Sequence, residues 1–163
     1  MIKKIVILSI AFLLFDGCTG KQFVEKKNQE SAFIKIKAPK MRYAGMGFIY
    51  KSSAGVKVEV YSMGQPIVSL DINAQNVCMS LFECMKREDF NAKMLHASYP
   101  APLLEHIFKS QPIFNKEGYE KQKDGFVQTI KKDKDYEITY SVISGKRTFH
   151  DTINKITIEV REQ

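Results

Sequence analysis

The sequence predicts an α+β domain in which a strongly curved antiparallel sheet wraps a short apolar helix and fills its concave face with it. Three observations predict this. Segments of apolar–polar alternation, joined by short turns, open and close the domain, as antiparallel strands with one apolar face do. Between them, residues 78–110 lose the alternation and carry Met, Leu and Phe at helical spacings. Strands, a helical insert and strands again is an α+β order.

The elements follow from residue 33. "FIKIKA" (33–38) sets Ile34, Ile36 and Ala38 against Lys35 and Lys37. "MRYAGMGFIY" (41–50) reads as a second strand. Its Gly45 and Gly47 form a GxG with no helix start after it, which points to a bulge or close backbone approach and not to a phosphate loop. "KSSAG" (51–55) is a turn. "VKVEVYS" (56–62) places Val56, Val58 and Val60 on one face, "MGQP" (63–66) turns, and "IVSLDIN" (67–73) alternates Val68, Leu70 and Ile72 with Ser69 and Asp71. In the insert, Pro102 is placed as the first residue of a helix. Leu103, Leu104, Ile107 and Phe108 then share a side, with Glu105 near the positive end of the helix and Lys109 near the negative end. Strands return at 125–132 and 136–144, the latter with Tyr136, Ile138, Tyr140 and Val142 on one face. The segment 148–162 closes the domain with Ile156, Ile158 and Val160 alternating.

The N-terminus has a different character. Lys3 and Lys4 precede an 11-residue apolar run, Ile5 to Phe15. A spanning helix needs roughly 20 apolar residues, so the run has the size of a signal-peptide core. The stretch Leu14-Phe15-Asp16-Gly17-Cys18 resembles the bacterial lipobox, although Phe15 stands where Leu is commonest and Asp16 where Ala or Ser is usual. That resemblance implies cleavage before Cys18 and acylation of its sulfur and new amino group. Thr19 follows, where Asp would retain such a protein in the inner membrane, so the resemblance implies a lipid anchor on the periplasmic face of the outer membrane. A cleaved soluble periplasmic protein and an uncleaved anchor are the plainer readings. The expected layout is a signal peptide at 1–17, a lipidated N-terminus and polar tether at 18–31, and a domain at 32–163.

Compartment and charge restrict the partners. Removing residues 1–17 leaves 146 residues with 23 basic and 17 acidic side chains, a net charge of +6. No nucleic-acid motif accompanies that charge, and no nucleic-acid partner is expected. Anionic lipid headgroups, lipopolysaccharide or an acidic protein are the counterparts to weigh against a basic surface that serves only solubility. Cys78 and Cys84 remain as an even pair, which an oxidising compartment would close into a disulfide. A zinc site wants four ligands at recognisable spacing, and none is present, so no metal is expected.

No catalytic constellation emerges. His96, His106 and His150 make no HExxH pair, Ser52 and Ser53 lie in a turn, and no G-x-S-x-G elbow occurs. Asp71 and Glu83 form a carboxylate pair only on paper, because nothing fixes their separation. The expectation is a protein that is not an enzyme and has no cofactor. Methionines are more telling. Met41, Met46, Met63, Met79, Met85 and Met94 are spread over the domain, and methionine adapts to irregular apolar partners. Met63 sits in the short turn "YSMGQP", where an exposed apolar side chain is unfavourable unless something binds it.

With that turn in place, the chain resembles the LolB-type outer-membrane lipoprotein receptors and, beyond them, the LolA/LolB fold. Four stretches carry the resemblance: Cys18 and its tether; "VEVYSMGQPIVSLDI" (58–72), with Met63 at the exposed apolar turn position; "YPAPLLEHIF" (99–108); and the final "YEITYSVISGKRTFHDTINKITIEV". They cover most of residues 40–162, while the Cys78/Cys84 pair and the lack of Trp depart from the pattern. The resemblance implies an incomplete antiparallel β-barrel closed on one side by helices. It implies a cavity for acyl chains, with Val58, Val60, Val68, Leu70, Leu104, Ile107 and Phe108 as candidate lining. It also implies that Met63 and Gly64 contact membrane or cargo. The partners it implies for a monomeric receptor are the outer membrane, a periplasmic lipoprotein carrier and client lipoproteins. The rival expectation is a structural lipoprotein that scaffolds an envelope or motility assembly with no lipid cargo.

Overall fold

A computed structural model describes residues 28–80 and 83–163. Cys18, the signal segment and the tether up to residue 27 lie outside the described residues. One antiparallel sheet is formed by eleven strands: β1 (Asn28–Lys37), β2 (Arg42–Lys51), β3 (Gly55–Ser62), β4 (Gln65–Asn73), β5 (Asn76–Met79), β6 (Glu83–Lys86), β7 (Tyr119–Gln122), β8 (Gly125–Lys132), β9 (Tyr136–Ile143), β10 (Lys146–Asp151) and β11 (Ile156–Glu162). Their order is β6-β5-β4-β3-β2-β1-β11-β10-β9-β8-β7. The ends of that order, β6 and β7, do not pair, so the sheet stays open. Two helices, α1 (Arg87–Met94) and α2 (Leu103–Phe108), lie between β6 and β7 in sequence.

The sheet must curl, and α2 shows why. This helix packs on β3 and β4. At its end the Phe108 carbonyl accepts a 2.7 Å hydrogen bond from Arg147 on β10. Three strands separate β3 from β10, about 19 Å across a flat sheet. A six-residue helix is about 9 Å long. Only a curved sheet brings both flanks to it. The concave face is apolar because alternation puts Ile34 and Ile36, Val58 and Val60, Leu70 and Ile72, Ile138 and Tyr140, and Ile158 and Val160 inward, all buried. Phe90, Leu103, Leu104, Ile107 and Phe108 from the helical segment complete the core. At Gly47 an added Cβ would meet the Glu59 carbonyl oxygen at 2.1 Å, so this glycine lets β2 and β3 approach closely, as expected of a strand glycine.

Antiparallel order sorts the turns onto two rims. One rim carries the β1–β2 turn (38–41), the β3–β4 turn (63–64), the β8–β9 turn (133–135) and the β10–β11 turn (152–155). The opposite rim carries the β2–β3 and β9–β10 turns and the start of β1 at Asn28. The described chain therefore begins at the rim remote from Met63.

Three expectations are corrected, and one strand is added. Residues 28–31, given to the tether, are the first turnless residues of β1, paired with β2 from Asn28↔Lys51 onward. The stretch 78–110 is not helical throughout: 76–79 and 83–86 form a hairpin, with Cys78 directly opposite Cys84. A cross-strand pair holds that register, and four-residue strands are too short to display alternation. Strand β7 was not expected, because "YEKQ" is a wholly exposed edge strand without an apolar face. Residues 148–162 are two strands, with Asp151 opposite Ile156 across a turn.

Candidate functional site

Ser62 pairs with Gln65, so the β3–β4 hairpin is closed by a two-residue loop, Met63-Gly64. Both have positive φ, 50° and 76°. Such a loop matches the twist of its strands and favours Asn or Gly at its first position. An ordinary side chain there costs roughly 1–2 kcal/mol. Met63 nevertheless occupies it, with a relative exposure of 101%. An added Cβ on Gly64 would meet nothing within 4 Å, so the tip stands clear of the other described residues. Here is a bulky apolar side chain, in a strained conformation, fully exposed among them.

Below the tip, on the convex face, register aligns Pro66, Tyr61, Met46, Phe33 and Arg161 across five strands. Tyr61 and Phe48 pack edge to face at 5.9 Å, Arg161 lies 4.7 Å over the Phe33 ring, and Met46 is exposed. Sequence reading missed this patch because Tyr61, Phe33 and Arg161 fall on the polar parity of their strands, and Pro66 joins them only through the register shift beside Tyr61. Only the register joins them.

The candidate lining residues are brought together, on the concave side. Val58, Val60, Val68 and Leu70 face Leu104, Ile107 and Phe108, and all seven are between 0% and 3% exposed. They form one closely packed core with the helix in place. Two polar atoms in this interior have no hydrogen-bond partner among the described residues, the Tyr140 hydroxyl and Arg147 Nε. Burial pushes the Tyr140 phenol well above its ordinary pKa, so it stays a neutral donor. The rest of Arg147 is well held. Besides Phe108, its guanidinium donates to Glu162 at 3.0 Å and to Glu30, whose other oxygen takes Lys51 at 2.6 Å. This network fastens the start of β1 to β10 and α2.

A second buried charge orders the Met63 rim. Asp151 is fully buried. Its carboxylate accepts from the Tyr99 hydroxyl, from Asn154 Nδ2 at 2.8 Å, and from the backbone N–H of Ile153 at 2.9 Å and of Asn154 at 3.1 Å. Burial works to raise its pKa, but these donors outweigh it and hold the carboxyl below the ordinary value. Tyr99, raised strongly by burial and by the Asp151 hydrogen bond, links the turn to the helical segment.

Cys78 and Cys84 are joined by a disulfide across the β5–β6 hairpin. The three histidines do not converge. His96 accepts from the Ser98 N–H at 3.3 Å and packs against Tyr99, His150 meets Thr157 Oγ1 at 3.1 Å, and His106 lies on α2. Asp71 is exposed on β4. Among the described residues no group of three His, Cys, Asp or Glu could hold a metal. Nor is any described helix long and apolar enough to cross a membrane. No protein-family model matches the chain, and no curated protein matches it either.

Proposed function

We propose that this chain is an outer-membrane lipoprotein receptor of the LolB type. It would take lipoproteins from a periplasmic carrier, hold their acyl chains on the concave side of the sheet, and insert them into the outer membrane. The observation that carries the reading is Met63, a fully exposed apolar residue kept in a backbone conformation that disfavours it. The open antiparallel sheet with helices on its concave face supports it as the frame such a receptor needs. For cargo to enter, α2 and the packed residues Leu104, Ile107 and Phe108 must give way. Each CH₂ then buried contributes about 0.8 kcal/mol. No nucleotide or cofactor is required, because a relay runs when each site binds acyl chains better than the last.

The closed packing of the seven candidate lining residues favours a second reading, a scaffold lipoprotein with a filled core. Depletion of the protein followed by fractionation of the envelope separates the two. A receptor's loss moves other lipoproteins out of the outer-membrane fraction and onto the soluble carrier. Unchanged distribution of those lipoproteins overturns the receptor.

A further inference from the structure

The rim that bears Met63 also carries a cluster of cations without counter-ions among the described residues. Lys37 on β1 and Arg42 on β2 are directly opposite each other, exposed on the same convex face. Like charges so placed destabilise a sheet. Two depressions meet at this pair. One, of about 300 Å³, is lined by Lys37, Ala38, Pro39, Arg42, Asn154 and Lys155. The other, also about 300 Å³, adds Lys35, Tyr43 and Ala44. Neither lining contains an acid. Glu159, opposite Lys35 in the register, is taken by Lys146 and Arg161. Asp151, in the adjoining turn, is buried on Tyr99 and Asn154. Beside this cluster, Lys40 is exposed in the β1–β2 turn and Ile153, 41% exposed, projects from the β10–β11 turn.

We infer that this rim docks on a bilayer rich in anionic phospholipid, with headgroup phosphates between Lys37, Arg42 and Lys155 and with Met63 and Ile153 in the apolar boundary. A phosphate supplies the charge that the opposed pair lacks. Two apolar tips flanking a basic cluster fit a membrane interface, where apolar burial and attraction to anionic lipid act together. An acidic protein would satisfy the cations but leave two separate apolar tips in water. The inference extends the Met63 reading but does not need cargo, so its failure is distinguishable from failure of the receptor.

The test uses the full chain with Cys18→Ser and an environment-sensitive fluorophore attached through Ile153→Cys. Vesicles of phosphatidylcholine, with and without phosphatidylglycerol, are added in the absence of any lipoprotein. The probe should shift to the blue only with phosphatidylglycerol, and high salt should reverse the shift. A Lys37→Gln, Lys40→Gln, Lys155→Gln variant should need about a hundredfold more anionic lipid, at roughly fivefold per basic residue. Its thermal midpoint should hold or rise, since Lys37→Gln relieves the repulsion with Arg42. A blue shift that is equal on neutral vesicles, or that survives the triple change, overturns the inference. So does a shift produced by an acidic protein and not by lipid.

Discussion

Replacing Met63 by Asn separates what this side chain does for folding from what it does at a membrane. Asn tolerates positive φ far better than Met. Met63 has φ 50° and no buried surface, so the change removes backbone strain and breaks no contact. Recovering half of a 1–2 kcal/mol penalty gives a gain of about 0.5–1 kcal/mol, roughly 2–3 °C in thermal midpoint for a domain of this size. The functional effect has the opposite sign. A methionine moving into an apolar phase contributes about 2 kcal/mol, so its loss should slow insertion roughly thirtyfold. Met63→Glu should also fold normally, because exposed substitutions usually stay within about 0.5 kcal/mol, and should insert still more slowly. Met63→Leu keeps both the strain and the apolar surface and should transfer within about twofold of wild type. The assay pairs circular-dichroism melting with transfer of an acylated protein from its carrier to vesicles that bear the full chain. A midpoint several degrees lower for Met63→Glu would show a packed tip. Wild-type transfer by Met63→Asn would remove the observation on which the receptor rests.

Other outcomes follow from the sequence and the structure. Cells fed a clickable fatty acid should label the wild-type protein and not Cys18→Ser; equal labelling ends the lipoprotein reading. Replacing Cys78 and Cys84 by Ser should cost about 2 kcal/mol, the loop-closure value for so short a loop, read from urea melts under non-reducing conditions. Asp151→Asn should cost about 2 kcal/mol at neutral pH, as hydrogen bonds to a buried charge are lost. Because folding depresses the Asp151 pKa, its contribution is complete above the unfolded value of about 3.9 and disappears as pH falls through the folded value. Wild type and Asp151→Asn should therefore differ in midpoint at pH 7 and converge in strong acid; a constant gap would contradict this origin.

What the sequence revealed depended on how each strand is buried. β1 to β4, β8, β9 and β11 were legible because one face of each is covered, which writes alternation into residues such as Val56, Val58 and Val60. β5 and β6 were not, since "NVCM" and "ECMK" are too short to show a period and take their register from a cross-strand disulfide. β7 buries nothing and so left no pattern. Met63 could be found because a turn declares itself locally, through Gly64. The buried charges could also have been found: Arg147 and Asp151 share the parity of the inward-facing Phe149, so two charged side chains had to enter the core. The opposed Lys37 and Arg42 were visible only once the register of a hairpin with a four-residue turn was known.

The placement of Asn28 and Met63 on opposite rims sets a length requirement. With Cys18 as the anchored residue, ten residues lead to Asn28, a reach of at most about 35 Å. Strand β1, which spans the sheet from one rim to the other, is itself about 31 Å long. The greatest reach of those ten residues is thus only slightly more than the length of β1. Were Cys18 acylated, a domain standing on that anchor would hold Met63 a full strand length or more above the bilayer, within range of anything arriving by diffusion. Toppled over, such a domain would just bring Met63 down to the bilayer that held the anchor, since ten residues reach at most about 35 Å. Three residues fewer would remove about 10 Å of reach and leave only the upright stance.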